Sequence, residues 1–356
     1  MILSLTEVRA AMQAQFRAGH GTVEERRLLR VSITTEDGLV GHGEAAPLPS
    51  YDGVTLEAVR EALESCRAVL ASADPAPPPQ VIARCAEVVL LPQALAALDL
   101  ALWDLAGRRA HEPVWRLLGD ALSAPEPVRV NWTVTAADRS GAVEEAAMAR
   151  TAGFDTLKVK VAIGDDHGRL AAVRAFAGPE MMIRIDANGA WSPLEARAAL
   201  RALEPVGIEL CEEPVAGLEE IRALAAETDI PLALDESAAD SAALVEPAGA
   251  LMCLKIARCG GLTGLLETAR RARAAGYEVF LASTLDGPLG IAATLHAAAI
   301  LRPARASGLA TLSMFADREN PLPAAAGRIA VPAGPGLGDG LLDWYARRQT
   351  GTISIS

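Results

Sequence analysis

The chain has 356 residues, of which 51% are hydrophobic and 22% charged, with a net charge of −12. That much apolar material supports a large core and excludes a disordered chain, and the length suits a β/α barrel of about 250 residues with an appended domain. The acidic balance argues against nucleic-acid binding, which needs a basic face, but not against a small anionic substrate, because one cation in a cleft outweighs a distant acidic surface.

Along the chain, Leu28 to Ala46 reads as two strands joined by a turn at Glu36-Asp37-Gly38, with Leu29, Val31 and Ile33 alternating against polar neighbours. Leu56, Val59, Leu63, Cys66 and Leu70 recur at helical spacing behind Thr55 as N-cap. The proline-rich stretch Pro75 to Pro79 ends that helix, and a second helical region runs from about Ala94 to Arg109. This opening third is α+β in character. From Val128 the pattern changes to short apolar strands alternating with amphipathic helices. The predicted strands are Val128–Thr135, Thr156–Val161, Met181–Asn188, Ile208–Pro214, Pro231–Ser237, Leu251–Arg258, Glu278–Thr284 and Ala306–Ala310. Ser192-Pro193-Leu194-Glu195 has the form of a capping box, and Gly153 and Gly276 fit helix C-terminal stops. Parallel strands alternating with helices imply a closed α/β barrel of the TIM type. The expected organisation is an α+β capping domain over residues 1–125, completed by the tail at about 325–356, and a modified TIM barrel over 126–324.

Cys66, Cys85, Cys211, Cys253 and Cys259 are odd in number and lack zinc-like spacing, so reduced thiols in a cytoplasmic protein are expected. Met1 to Ala10 has no basic start followed by an apolar run, so no signal peptide is expected. No uninterrupted apolar stretch is long enough to span a bilayer, so neither membrane nor nucleic acid is an expected partner.

Ionisable residues interrupt the apolar strands at their C-terminal ends. Lys158 and Lys160 lie on the second strand, Asp186 and Asn188 end the third, Glu212 and Glu213 the fourth, Asp235 and Glu236 the fifth, and Lys255 lies on the sixth. In a barrel these ends converge on the face that carries active sites. A lone acid there is as readily a helix cap or an arginine partner. Acids on three consecutive strands, facing lysine-bearing strands, make a hard oxygen site suited to Mg²⁺. Lys158 and Lys160 are two apart and point the same way, and mutual repulsion or a metal can lower the pKa of one towards that of a base. A metal on the substrate carboxylate would stabilise charge as a neighbouring proton is removed by lysine.

With these segments in view, the sequence resembles the enolase superfamily, muconate-lactonising-enzyme subgroup, whose general chemistry pairs a Lys or His base with Mg²⁺. The resemblance rests on Thr156-Leu157-Lys158-Val159-Lys160, Asp186-Ala187-Asn188, Glu212-Glu213-Pro214, Asp235-Glu236-Ser237 and Lys255-Ile256-Ala257-Arg258 followed by Gly260-Gly261. Gly43 to Pro49 and Ala101-Leu102-Trp103-Asp104-Leu105-Ala106-Gly107 are also similar to the family. The resemblance implies Asp186, Glu212 and Asp235 as ligands of Mg²⁺, with Mn²⁺ able to substitute, and Glu213, Glu236 and Asn188 as supporting groups. It implies Lys160 as base, Lys158 as its electrostatic neighbour and Lys255 as the opposing cation. Ser283-Thr284-Leu285-Asp286 with Gly290-Ile291-Ala292-Ala293, and Gly308-Leu309-Ala310-Thr311, resemble members that form o-succinylbenzoate. Ser283, Thr284 and Asp286 are therefore candidates to touch the substrate or to support residues that do. Dipeptide epimerases often carry Asp-x-Asp at the eighth strand, which this chain lacks there, and no histidine falls at the seventh. N-acylamino acid racemisation, dipeptide epimerisation and muconate cycloisomerisation stay open, as do a Schiff-base aldolase through Lys255 and a non-catalytic binder. The resemblance assigns selectivity to cap loops around Gln15–Val23 and Ser50–Thr55. A small-molecule carboxylate is the expected partner, and self-association is left open.

Overall fold

The computed structural model describes residues 1–18, 21–74, 76–119 and 123–346. The chain opens with an antiparallel sheet of β1 (Ile2–Ala18), β2 (Gly21–Thr34) and β3 (Val40–Ala45), in that order. The sequence reading has no counterpart to β1. Its inward residues Val8, Ala10 and Met12 do alternate, but small and charged neighbours such as Ala11 and Arg9 dilute the period-two signal, and β1 becomes a strand by pairing with β2. Six helices follow: α1 (Pro49–Asp52), α2 (Leu56–Ser65), α3 (Arg67–Ala71), α4 (Pro78–Ala86), α5 (Pro92–Ala110) and α6 (Val114–Leu118). The predicted cap is present, with Ala58 N–H donating to Thr55 Oγ1 at 3.1 Å. Helix α5 lies against β3 because Gly41 and Gly43 have no side chain. A Cβ on Gly41 would stand 2.2 Å from Ala101 O, and one on Gly43 2.1 Å from Ala97 O.

Seven parallel strands form the curled sheet of the second half: β5 (Trp132–Val134), β6 (Thr156–Lys160), β7 (Met182–Asp186), β8 (Ile208–Glu212), β9 (Leu232–Leu234), β10 (Leu251–Lys255) and β11 (Glu278–Ala282), in sequential order. Outside it lie α7 (Arg139–Thr151), α8 (Asp166–Ala177), α9 (Pro193–Leu203), α10 (Leu218–Ala225), α11 (Leu262–Ala274) and α12 (Pro288–Leu301). The capping box at Ser192 and Glu195 forms, and Gly153 and Gly276 take positive φ.

Two barrel elements differ from the sequence reading. The predicted first strand is split, its start forming β4 (Val128–Arg129) in an antiparallel pair with β12 (Arg328–Ile329). The predicted eighth strand is reduced to bridges of Ser307 with Val130 and of Gly308 with Ala282, which join the two edges of the sheet. Ionic contacts hold that short segment: Arg184, fully buried, donates to Ala306 O at 2.8 Å and pairs with Glu209, which also takes Arg305.

Acids of the first half fasten it to the second. Asp99 on α5 accepts from Thr263 N and Oγ1 at 3.0 and 2.6 Å. Asp104 accepts from His42 N at 2.8 Å and Leu337 N at 2.7 Å. These contacts account for the family-like run around Trp103 as a fastening rather than a reactive group. Glu44 accepts from Gly287 N at 2.7 Å and from the Tyr345 hydroxyl. Residues 347–356 of the expected tail, and Gly19 and His20 of the first cap loop, lie outside the described residues.

Burial, and next the negative charge of Asp286, push the Glu44 carboxyl up to about 8, against the pull of the Tyr345 and Gly287 hydrogen bonds. The unfolded chain loses this proton near the ordinary glutamate value while the folded chain keeps it, so the contribution to stability is lost as pH rises from about 4.5 to 8. Urea unfolding should therefore show wild type losing stability over that window faster than Glu44→Gln, by at most roughly 1.4 kcal/mol per pH unit. Equal slopes for the two proteins would rule this out.

Candidate active site

Register brings the predicted ionisable residues to one end of the barrel: Lys160 pairs with Asp186 and Asp186 with Glu212. Lys158, Lys160, Asp186, Glu212, Asp235 and Lys255 are all buried. The Lys158 ammonium lies between two acids, 2.6 Å from Glu212 Oε2 and 2.9 Å from Asp186 Oδ2. Lys160 Nζ donates to the same Asp186 Oδ2 at 2.6 Å and to Asn188 Oδ1 at 2.8 Å. Lys255 Nζ donates to Asp235 Oδ2 at 2.7 Å. Each lysine thus has a carboxylate beside it at the mouth.

The three predicted metal-holding acids do not all stand at equal distance. Glu212, Asp235 and Cys253 each offer an atom within 4.8 Å of the other two, and Asp186 stands outside that group with Oδ2 turned to the two lysines. The Cys253 thiol is pushed well above its usual range by burial, then by the charges of Asp235 and Glu212. A neutral sulfur is a poor partner for a hard cation, which leaves the carboxylates as the donor set. Glu212 Oε1 is buried with no hydrogen-bond partner among the described residues. A buried carboxylate oxygen of this kind fits a cation.

Burial pulls the Lys158 pKa down, but Asp186 and Glu212 outweigh it and leave the group well above an ordinary lysine. Lys255 is raised in the same way, burial being overcome chiefly by Asp235. At both positions the carboxylates prevail over burial, because each ammonium has a carboxylate within 2.7 Å. Burial favours the neutral form of Asp186, yet Lys158 and Lys160 hold it well below the usual carboxylate range. Asp235 is lowered by Lys255 and Lys158 despite burial, whereas burial prevails at Glu212 and raises it.

The supporting residues have distinct tasks. Glu213 accepts from Asp235 N at 2.8 Å and Ser237 N at 3.1 Å, and so fixes the backbone that presents Asp235. Asn188 Nδ2 donates to Glu236 Oε1 at 3.0 Å. Glu213 rises to about 7 by burial, and Glu236 to about 8 by burial and then the charges of Asp235 and Asp186. Asn188 and Glu213 have φ of +47° and +35°, so backbone strain gathers at these strand ends.

The cavity over the lysines is walled on the far side by Ser283, Thr284, Leu285, Gly308 and Thr311, with Leu48 and Tyr51 from the cap. Ser283 and Thr311 hydroxyls are bonded to each other at 2.8 Å. Asp286 does not line this cavity. Its Oδ1 accepts from Thr284 Oγ1 at 2.7 Å, and it is buried near Glu44, so it stands behind the lining residue Thr284 and supports the strand-seven loop. His296 is on α12, away from the site, between Trp115 N and Leu337 O at 3.2 Å each, and burial pushes it down to about 4. The cysteines are free, and all but the half-buried Cys259 are buried. Tyr51 has no role in the sequence reading, although it falls within the named loop Ser50–Thr55. Its hydroxyl lies in the site, and a loop tyrosine next to Pro49 and Gly53 gives no local sign of that.

The chain belongs to the enolase superfamily. The mandelate racemase / muconate lactonizing enzyme N-terminal domain model matches residues 3–119, and the enolase C-terminal domain-like model matches residues 141–342. Within the family, the chain is 31% identical over 316 residues to a hydrophobic dipeptide epimerase of Enterococcus faecalis, covering 84% of this chain and 87% of that protein. It is 39% identical over 231 residues to an o-succinylbenzoate synthase of Mycobacterium tuberculosis, covering 60% of this chain and 65% of that one. The E. faecalis epimerase crystallised with Mg and L-Leu-L-Tyr superposes with a TM-score of 0.86 at 27% identity, covering 95% and 98% of the two chains. No helix among the described residues is long and apolar enough to cross a membrane.

Replacing one partner of a buried ion pair strands the others. Lys158→Met leaves Glu212 without its ammonium, so a loss of about 3–5 kcal/mol is expected in metal-free urea unfolding. A loss below about 1 kcal/mol, the range of exposed pairs, would show that Lys158 does not balance these acids.

Proposed function

We propose that this enzyme removes a proton next to a substrate carboxylate, and that the reaction is o-succinylbenzoate synthesis by dehydration of 2-succinyl-6-hydroxy-2,4-cyclohexadiene-1-carboxylate. The observation that carries the reading is the uncharged far wall. Among the described residues, no carboxylate lines the cavity on the side of Ser283, Thr284, Leu285, Gly308 and Thr311. A dipeptide would bring an ammonium with nothing there to pair it, at the cost of an unpaired charge. A substrate carrying carboxylates and a ring has no such need. The 39% identity to the mycobacterial synthase supports the same choice.

Asp186, Glu212 and Asp235 would hold one Mg²⁺, for which Mn²⁺ could substitute. Bound there, the ion would stabilise the negative charge that grows on the substrate carboxylate. The protein's own charges already balance at the mouth: Lys158, Lys160 and Lys255 face Asp186, Glu212 and Asp235. A divalent cation would therefore leave an excess of positive charge that favours an anionic substrate and release of the Lys160 ammonium proton to solvent. Lys160 Nζ, then neutral, takes the proton next to the carboxylate. Lys158 and Lys255 lie on either side as fixed cations. The departing hydroxyl leaves as water with the proton returned by Lys160, and the ring becomes aromatic.

The second reading, racemisation of an N-acylamino acid, is favoured by one feature. Lys160 on β6 and Lys255 on β10 reach the cavity from different strands, which suits proton transfer on two faces.

Chelation should abolish turnover and Mg²⁺ should restore it, and full activity in chelator would remove the metal from the reading. Lys160→Ala should eliminate either reaction. Lys255→Arg should retain measurable dehydration, since a cation suffices there. For a racemase, Lys255→Ala should instead stop exchange of the α-proton with solvent from one enantiomer alone. Rapid exchange with N-succinylamino acids, and no dehydration, would replace the first reading by the second.

A further inference from the structure

The Tyr51 hydroxyl stands at a three-way junction. Lys255 Nζ donates to it at 2.7 Å, Arg258 Nη1 donates at 3.1 Å, and it donates to Asp235 Oδ1 at 2.9 Å. Lys255 also bonds Asp235 Oδ2, so Tyr51, Asp235 and Lys255 form a closed ring of hydrogen bonds. The ammonium lies 4.1 Å from the centroid of the Tyr51 ring, within reach of its π face.

This junction answers a need specific to Lys255. Lys158 is held by two carboxylates, whereas Lys255 has, among the described residues, Asp235 alone within ion-pair distance. A lysine stem has four rotatable carbons, and one partner does not fix it. Tyr51 supplies the second acceptor from the cap. Its own place is set within the cap: Asp52 accepts from Leu48 N, Val54 N and Gln93 Nε2 at 3.3, 3.0 and 2.9 Å, which clamps the turn of α1 to α5. Of the three ammonium donors on Lys255, two are used by Asp235 and Tyr51, and the third is left for a ligand in the cavity that Lys255 lines.

We infer that Tyr51 is a positioning residue that fixes the Lys255 ammonium, so that seating of the cap and readiness of the strand-six cation are one event. The inference rests on the reading of Lys255 as the cation facing the substrate, and its first test does not depend on which substrate is used.

Tyr51→Phe keeps the ring and removes the hydroxyl. Mass spectrometry after brief acetic anhydride treatment reads each lysine separately. Lys255 labelling should rise several-fold in Tyr51→Phe, with Lys158 and Lys160 unchanged. Unchanged Lys255 labelling overturns the inference. An equal rise at all three lysines also overturns it, because Tyr51 would then only seat the cap. On the substrate that wild type turns over, kcat should fall about tenfold, the range for loss of an outer partner of a site residue, with KM nearly constant. A rise in KM at constant kcat would make Tyr51 a substrate contact instead. A wild type inactive on every substrate offered would count against the functional reading alone, because the labelling decides Tyr51 by itself.

Discussion

Six buried charges of both signs at the mouth of the barrel constrain everything around them. Taking three ammonium groups and three carboxylates out of water is costly, and the contacts near 2.6 Å recover that cost only while each partner is present and held. The surrounding structure supplies the holding. Arg169, itself fully buried, donates to the Lys160 carbonyl at 2.6 Å and to Asp166 at 2.7 Å, stiffening the strand end from below. Glu213 does the same for Asp235 through the backbone. A well-packed apolar plug at this place would be as stable or more so, so the arrangement is understandable only through the chemistry it permits.

The same charges were legible in the sequence because they break apolar strands at a repeated position. A lysine pair two residues apart, and acids at three successive strand ends, need no distant information to be seen. What stayed hidden depends on partners far along the chain. Strand β1 has a weak alternation of its own and forms through β2. The eighth barrel segment is shortened to bridges at Ser307 and Gly308, and its place is set by Arg184, more than 100 residues earlier in sequence. Asp286 reads as a site residue from its neighbours Ser283 and Thr284, and the sequence does not reveal that it is buried behind Thr284 rather than lining the cavity. Tyr51 is silent for the opposite reason: a loop tyrosine has no periodicity, and its role exists only where cap and barrel meet.

Among the described residues, the charges that line the cavity lie on one side of it. The strands from β6 to β10 bring every ion, while the segments after β11 bring hydroxyls, a glycine and a leucine. Leu285 in that wall has φ of +58°, a strained conformation for a leucine, and its carbonyl accepts from buried Arg26 at 3.3 Å. The Leu285 end of this uncharged wall is thus held from the cap, whose Leu48 and Tyr51 also line the cavity. One half of the cavity is thus lined by ions, and the other half is jointly built by cap and barrel.

The latch between Glu44 and Tyr345 joins residues 301 apart in sequence, and Asp104 reaches Leu337 across 233. During synthesis the amino-terminal sheet leaves the ribosome long before either partner exists. Glu44, a buried acid in the finished protein, must then wait exposed while the whole barrel is made. Contacts of this span are slow to find. These two latches can therefore close only after Leu337 and Tyr345 have been made, later than the contacts of Asp99 with Thr263 and of Tyr51 with Lys255.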